Sequence, residues 1–378
     1  MSNKIGIIVL GGHIQGLTII RILGKLGIPS VLIDNTSINL ARYSRYCKTF
    51  YKCENEEILS TLEGFRKVNK YKDWAVFPTN DFHVELLSKN RENLNKYFKV
   101  TSDEWSILKT WFNKRESYKF VQSLDITIPK TWYCDTLDEL NSVDIFPCII
   151  KPAVMHRFYT QVKQKVFVCK DKFDLIDYFN KAVEIIPNDE IIIQEIIPGS
   201  SENQYSACFL ARKGEILVQL SARRARQHPP DFGNATTFAE TTEYLPFLDD
   251  ARKIIGENGY TGLCEVEFKY DSRDNTYKFL EVNPRTWKWH GIAVKAETPF
   301  LPQLINFLYD ETVNKVLEWK PATFYHVVTD FTVKFKMKLN HTYRRKNNIN
   351  AFNAVWDWND LGPSVMEYII LPYLILKR

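Results

Sequence analysis

The sequence predicts a parallel-sheet α/β domain joined to an α+β region, and three observations predict it. The first 35 residues run strand, glycine turn, helix, strand, the order of a parallel βαβ motif. Farther along, apolar strands return in pairs across short polar turns, as antiparallel hairpins do. No internal repeat links the two textures, so they read as separate units with helices between them.

The elements follow in order. Lys4–Leu10 is a near-continuous apolar strand of the buried parallel kind, followed by Gly11-Gly12-His13-Ile14-Gln15-Gly16. A helical period runs from Leu17 to Leu26, Gly27 and Pro29 stop it, and Ser30–Ile33 is a second strand ending at Asp34. Trp74–Phe77 is a strand leading into Pro78-Thr79-Asn80-Asp81, where Asn80 or Asp81 can cap a helix. Leu108–Leu124 reads as one helix, Phe146–Lys151 and Val166–Cys169 as neighbouring strands, and Phe173–Val183 as a helix. Glu190–Ile196 is a strand closed by Pro198-Gly199. Tyr205–Leu210 and Glu215–Leu220 form a hairpin around Lys213-Gly214, and Gly262–Tyr270 and Thr276–Val282 form another. Ala251–Asn258 and Ala293–Leu308 are helical, and Pro321 opens a C-terminal segment.

At 378 residues the chain is long enough for two or three cores. Its 45% hydrophobic content offsets the entropy of ordering and excludes disorder as the main state. Apolar runs such as Ile191–Ile193 and Ile369–Leu371 fall far short of the roughly 20 residues of a membrane helix. Gly11 and Gly12 follow Ile5–Leu10 with no cleavage-site pattern, so no secretory signal is expected. The seven cysteines contain no Cys-x-x-Cys pair, which argues against a zinc site or a disulfide framework and fits a reducing cytoplasm. A net charge of +5 is too mild to imply a nucleic-acid partner.

The densest chemistry lies in the last hairpin. One strand carries Glu265-Val266-Glu267-Phe268, and the other Leu280-Glu281-Val282-Asn283-Pro284-Arg285. Side chains two apart share a face, so Glu265 goes with Glu267 and Glu281 with Asn283. Carboxylates set among apolar residues are unfavourable unless something neutralises them. Hard oxygen donors of this kind suit Mg²⁺, which bridges one or two carboxylates to substrate phosphates. Arg285 lies on the Asn283 face and can hold an anion in its fork. The competing reading is a surface hairpin whose acids face water.

These residues carry a resemblance. Glu267, followed 14 residues later by Glu281-x-Asn283-x-Arg285, is similar to the metal-binding signature of the ATP-grasp superfamily. Asn283-Pro284-Arg285-Thr286-Trp287 resembles the Asn-Pro-Arg-Phe-Trp run of its carboxylate–amine ligase branch, which includes D-aspartate ligase-like enzymes. Phe146-Pro147-Cys148-Ile149-Ile150-Lys151-Pro152 resembles the strand whose lysine contacts ATP phosphates, and Lys114 matches an earlier family lysine. Ile191–Gly199 resembles the strand and hinge that grip adenine. There Gln194 falls at the position that meets the adenine amino group, and main-chain groups of Glu195 and Ile197 would read the adenine edge. Glu202 is the expected ribose-binding acid, with Gln204 in contention because the spacing after Gly199 is long. The implied architecture is an ATP-grasp fold, α/β and α+β. A pre-ATP-grasp α/β domain spans residues 1–110, a small lobe 111–190, a large lobe with the metal site 191–310, and a C-terminal extension 311–378.

Several stretches depart from the pattern or lie outside it. Residues 153–160 contain no glycine where the family has a glycine-rich loop. Arg157, Lys163 and Lys165 either replace its amides by charge or are solvated. Lys288-Trp289-His290 implies a distinctive acceptor pocket or aromatic packing. Gly11-Gly12-x-x-x-Gly16 with Asp34 resembles a dinucleotide fingerprint with the wrong glycine spacing; in an ATP-grasp protein this turn, with His13 and Gln15, would face the acceptor. Arg223, Arg224 and Arg226 read as an anion clamp or a solvated loop, with Arg224 and Arg226 pointing the same way if the strand continues. Lys334, Lys336, Lys338, Arg344, Arg345 and Lys346 fall in a stretch without acids, ahead of an apolar end interrupted by Pro372. That pattern reads as a membrane-surface or lipid-linked-substrate contact, or as a packed terminal helix beside a solvated face.

The resemblance implies an ATP-dependent ligase that joins a carboxylate to an amine through an acyl phosphate. ATP would be held by Lys114, Lys151, Gln194, Glu195, Ile197 and Glu202. Mg²⁺, with Mn²⁺ an acceptable substitute, would sit on Glu267, Glu281 and Asn283. Arg285 and Arg224 would stabilise the reacting anion. The expected partners are small-molecule carboxylate and amine substrates, one an amino acid or an amino-acid-bearing compound. The oligomeric state stays open, homodimers being common in the family. Two alternatives remain in view: a Rossmann-type NAD(P) oxidoreductase using Gly11–Gly16 and Asp34, and a nucleotide-binding ATP-grasp homologue without catalysis.

Overall fold

Ile7–Leu10 is buried over its whole length and lies at the centre of a five-stranded parallel sheet. The strands are Ile7–Leu10 (β1), Ser30–Asp34 (β2), Phe50–Lys52 (β3), Ala75–Pro78 (β4) and Lys99–Val100 (β5), in the order β3-β2-β1-β4-β5. The computed structural model describes residues 5–154, 158, 161–162, 164–229, 233, 235–339 and 349–376. The glycine turn after β1 is shaped by packing. Gly11 has φ +100°, and a Cβ on Gly16 would come within 2.0 Å of the Gly11 carbonyl oxygen, so helix Ile14–Lys25 can sit tightly on the turn. Asp34 Oδ2 accepts the Gly12 N–H at 2.5 Å and Oδ1 the Thr36 N–H at 2.8 Å. Both oxygens of that acid are therefore engaged by amides of the turn region.

A second sheet contains Thr131–Trp132 (β6), Cys148–Pro152 (β7), Phe167–Cys169 (β8) and Ile191–Glu195 (β9), in the order β6-β9-β7-β8. It is antiparallel and has a core of its own, built from residues such as Leu140, Ile150, Leu175 and Ile193. β9 pairs with β7 from Pro152↔Ile191 to Cys148↔Glu195, so the strand just past the expected boundary at 190 belongs to this sheet.

The third sheet has seven strands: Gln204–Arg212 (β10), Glu215–His228 (β11), Ala235–Thr241 (β12), Gly262–Asp271 (β13), Thr276–Asn283 (β14), Thr323–Tyr325 (β15) and Ala351–Asn353 (β16). Their order is β14-β13-β10-β11-β12-β15-β16, antiparallel except for β15 with β16. One face shares a core with the N-terminal unit, where Leu17 and Ile20 join Leu220, Trp287 and Phe324. The C-terminal segment is fastened to the same unit. Asp360 accepts Arg21 Nε at 2.8 Å, Ser44 Oγ at 2.7 Å and the Arg45 amide at 2.7 Å, and Arg21 also donates to the Val355 carbonyl at 2.8 Å.

Three sequence expectations change. The helix expected over Leu108–Leu124 is two, Trp105–Phe112 and Lys114–Ser123, because Asn113 turns extended and its side chain caps the second through the Arg115 and Glu116 amides. The helix expected over Ala293–Leu308 is likewise two, Ile292–Lys295 and Phe300–Leu308, with Pro299 between them. Strand β11 continues through the arginine run to His228 instead of ending at Leu220.

Candidate active site

The hairpin of β13 and β14 depends on a shift in register. From the turn outward the pairing runs Asp271↔Thr276 to Phe268↔Phe279, then slips by one residue, so that Glu267 faces Glu281 and Glu265 faces Asn283. Leu280 is the extra residue. Without this bulge Glu281 would stand opposite Val266 and point to the other side of the sheet. With it, all four polar side chains gather on one face.

Each acid there meets a partner. Lys114 Nζ lies 2.6 Å from Glu281 Oε2. Arg224 Nη2 donates to Glu267 Oε1 at 3.0 Å, Asn283 Nδ2 donates to the same oxygen at 3.1 Å, and Gln204 Nε2 donates to Glu267 Oε2. Glu265 accepts Ser206 Oγ at 3.0 Å and Asn283 Nδ2 at 3.3 Å. The charges separate accordingly. The Lys114 ammonium holds the Glu281 carboxyl down at about 2. Burial, reinforced by the Glu267 charge, pushes Glu265 up to about 8 against the pull of Arg224 and Arg285.

The lysines arrive from other elements. Asn113 places Lys114 as the first residue of its helix, and the Lys114 amide bonds the Ala153 carbonyl at 3.0 Å. Burial lowers the basicity of Lys114, but Glu281 outweighs it and the net shift is upward. Lys151 is buried on β7, with Nζ 2.6 Å from Tyr118 Oη and 2.7 Å from Gln194 Oε1. Arg285 donates from Nε to Asp81 Oδ1 at 2.6 Å and from Nη2 to Asn283 Oδ1 at 3.1 Å. It thereby joins the hairpin to the helix that starts at Asp81 behind its Asn80 cap.

These groups line one cleft of about 1300 Å³ that lies among all three sheets. That exceeds the usual volume for a single small ligand and gives room for two side by side. Lys114, Lys151, Gln194, Glu195, Ile197, Arg224, Glu267, Glu281, Asn283 and Arg285 all line it. Glu202 does not; it sits in the turn Ser201–Asn203, while Gln204 reaches the cleft. The Glu195 side chain is bound to Lys278 Nζ at 2.9 Å and Arg273 Nη2 at 2.6 Å, and Lys269 Nζ donates to the Ile197 carbonyl at 2.8 Å. Lys165 lines the cleft, its basicity lowered chiefly by burial; Arg157 and Lys163 lie outside the described residues.

Arg224 and Arg226 do not act together. A register irregularity in β11 separates them, and Arg226 grips Asp330 at 2.7 and 2.9 Å. Lys288 and Trp289 line the cleft, while Trp287 and His290 pack on Phe300. Sequence reasoning passed over Tyr118 and gave Asp81 only the role of a cap. Tyr118 stands four residues after Lys114, on the same face of the helix, which was the available signal; nothing in the sequence points to Asp81 as the partner of Arg285.

The donor set fits a hard cation. Two facing carboxylates, with a carboxamide beside them, offer oxygen ligands of the type Mg²⁺ takes. Among the described residues no cluster of three or more His, Cys, Asp or Glu could hold an ion alone.

The fold and this grouping of lysines, acids and arginine are similar to those of ATP-grasp ligases. Residues 210–299 match the family described as carbamoyl-phosphate synthase L chain, ATP binding domain. Among curated proteins the chain is similar to D-aspartate ligase of Enterococcus faecium (strain Aus0004), 24% identical over 249 residues that make up 61% of this chain and 57% of that enzyme. The chain thus spans little more than half the length of that relative. Among solved structures, the biotin carboxylase domain of Hydrogenobacter thermophilus 2-oxoglutarate carboxylase, in complex with MgADP, ADP and bicarbonate, gives a TM-score of 0.67 at 14% identity. It covers 85% of this chain and 73% of its own. An ADP complex of N5-carboxyaminoimidazole ribonucleotide synthetase gives 0.65 at 12% identity, covering 92% of this chain and 90% of its own. At these identities the likeness is one of fold.

Proposed function

We propose that the chain is an ATP- and Mg²⁺-dependent carboxylate–amine ligase that forms an amide through an acyl phosphate. The observation that carries this reading is the facing pair Glu267 and Glu281, held by Arg224 and Lys114 where strand β9 and the N-terminal turn open on one cleft. Lys114 and Lys151 bind the ATP phosphates, Gln194, Glu195 and Ile197 border the adenine, and Glu202 or Gln204 meets the ribose. Glu267, Glu281 and Asn283 hold Mg²⁺, or Mn²⁺ in its place, which neutralises phosphate charge when bound. A substrate carboxylate oxygen attacks the γ-phosphorus, ADP leaves, and an amine then displaces phosphate from the acyl carbon. Arg285 and Arg224 face the developing oxyanions. The likeness to D-aspartate ligase supports an amino acid or amino-acid-bearing compound as one substrate. The unpaired cysteines suit a reducing compartment such as the cytoplasm.

The test is ADP release with ATP and Mg²⁺ across pooled amino acids and small carboxylates, with NADH binding as a control. ADP formed only with a particular carboxylate–amine pair is the expected result. Tight ATP binding with no ADP under any pair would favour a non-catalytic homologue. NADH binding without ATP binding would overturn the reading altogether.

A further inference from the structure

The last two helices of the described chain each have two working faces. Inward, Val327–Leu339 buries Asp330 and Val333, and Leu361–Leu376 buries Ser364, Glu367 and Ile370. Thr329, Glu367 and Ile370 line the cleft. Outward, the first helix leaves Phe331 70%, Phe335 58% and Leu339 63% exposed, far more than scattered surface apolar residues need. At about 100° per residue these three fall within an arc of about 80°, with Lys334 and Lys338 on one flank and Lys336 on the other. The second helix exposes Leu361, Val365, Tyr368 and Ile369. Its single charged residue is the buried Glu367.

We propose that this outward face docks on an anionic bilayer surface, with the apolar stripe at the headgroup boundary and the flanking lysines on lipid phosphates. An apolar stripe bordered on both sides by lysines is the pattern of a helix lying in the membrane plane. Charge selects this occupant over a second copy of the chain. From Phe331 to Leu339 the helix holds three lysines and no acid, so a two-fold interface would set like charges against each other. Nucleic acid would match the charge but leave the aromatic stripe in water. Lys334 reaches Asp330 at 2.8 Å and still belongs to the basic border. No helix among the described residues is long and apolar enough to cross a membrane, so the contact is peripheral. The inference does not depend on the ligase reading.

The experiment is flotation of the full chain with vesicles of phosphatidylcholine alone and of equimolar phosphatidylcholine and phosphatidylglycerol. The protein is expected to float with the anionic vesicles and to be released by salt. Phe331→Ser/Phe335→Ser/Leu339→Ser and, separately, Lys336→Glu/Lys338→Glu should each weaken binding about tenfold or more. Both variants should keep the wild-type unfolding temperature and ATP affinity. Absence of flotation, or equal flotation with neutral vesicles, overturns the proposal. So does a concentration-dependent dimer that the triple substitution abolishes, since that assigns the face to a second copy.

Discussion

Lys114 Nζ stands 2.6 Å from Glu281 Oε2, so a lysine assigned to ATP phosphates and an acid assigned to the metal hold one another across the cleft. The pair sets a pH signature. Glu281 titrates at about 2 against an ordinary 4.5, so its stabilisation is fully present above about pH 4.5 and is lost as pH falls toward 2. Lys114→Met is expected to be less stable at neutral pH, with the gap closing through that window. Denaturant unfolding at a series of pH values checks this; a gap independent of pH would remove the electrostatic account.

Metal and nucleotide should bind as partners. Glu281→Gln is expected to lower ATP affinity measured with Mg²⁺ by about 10–100-fold while changing metal-free affinity much less. Titration calorimetry with and without a chelator separates the two. An equal loss in both conditions would move Glu281 out of the metal site.

Arg224 stabilises two buried acids, Glu267 directly and Glu265 by its charge. Arg224→Met is expected to cost about 3–5 kcal/mol in denaturant unfolding, the usual penalty for stranding a buried charge. Adding Glu267→Gln should recover part of the loss. Strict additivity of the two substitutions would show that they are not coupled.

Asp81 accepts Arg285 Nε at 2.6 Å, and on the proposed function it positions that arginine. Asp81→Asn is expected to lower kcat for ADP release by roughly 10–100-fold, because a small misplacement of a reacting group is costly, with KM for ATP unchanged. A raised KM at constant kcat would instead place Asp81 in nucleotide binding.

Asp360 is nearly inaccessible and bonded to Arg21. Asp360→Ala should destabilise the chain by about 3–5 kcal/mol, read as a lower denaturant midpoint. An unchanged midpoint would show that the C-terminal segment is not fastened there.

Much of this was legible in the sequence. The βαβ opening follows from solid apolar runs and glycine spacing, and motifs in order single out Lys114, Lys151, Glu267, Glu281 and Asn283, which the fold brings to one cleft. What the sequence hid was relative placement. Period-two alternation fixes faces within one strand but not between two, so the bulge at Leu280 that brings Glu281 onto the face of Glu267 left no trace in composition. The break at Asn113 was masked by a continuous apolar period on both sides of it. Arg224 and Arg226 looked equivalent because strand parity holds only where no irregularity intervenes, and one does. Asp81 meets Arg285 across 204 positions, a distance over which local pattern carries no information.

The tie between Arg21 and Asp360 also spans 339 positions, and that separation has a meaning in time. At roughly 5–20 residues per second of synthesis, Asp360 leaves the ribosome on the order of tens of seconds after Arg21. The N-terminal sheet thus waits with Arg21 still hydrated until the later-made segment around Asp360 completes it. A nascent chain stalled before residue 360 would leave Arg21 on helix Ile14–Lys25 without its carboxylate partner, an open, positively charged seam.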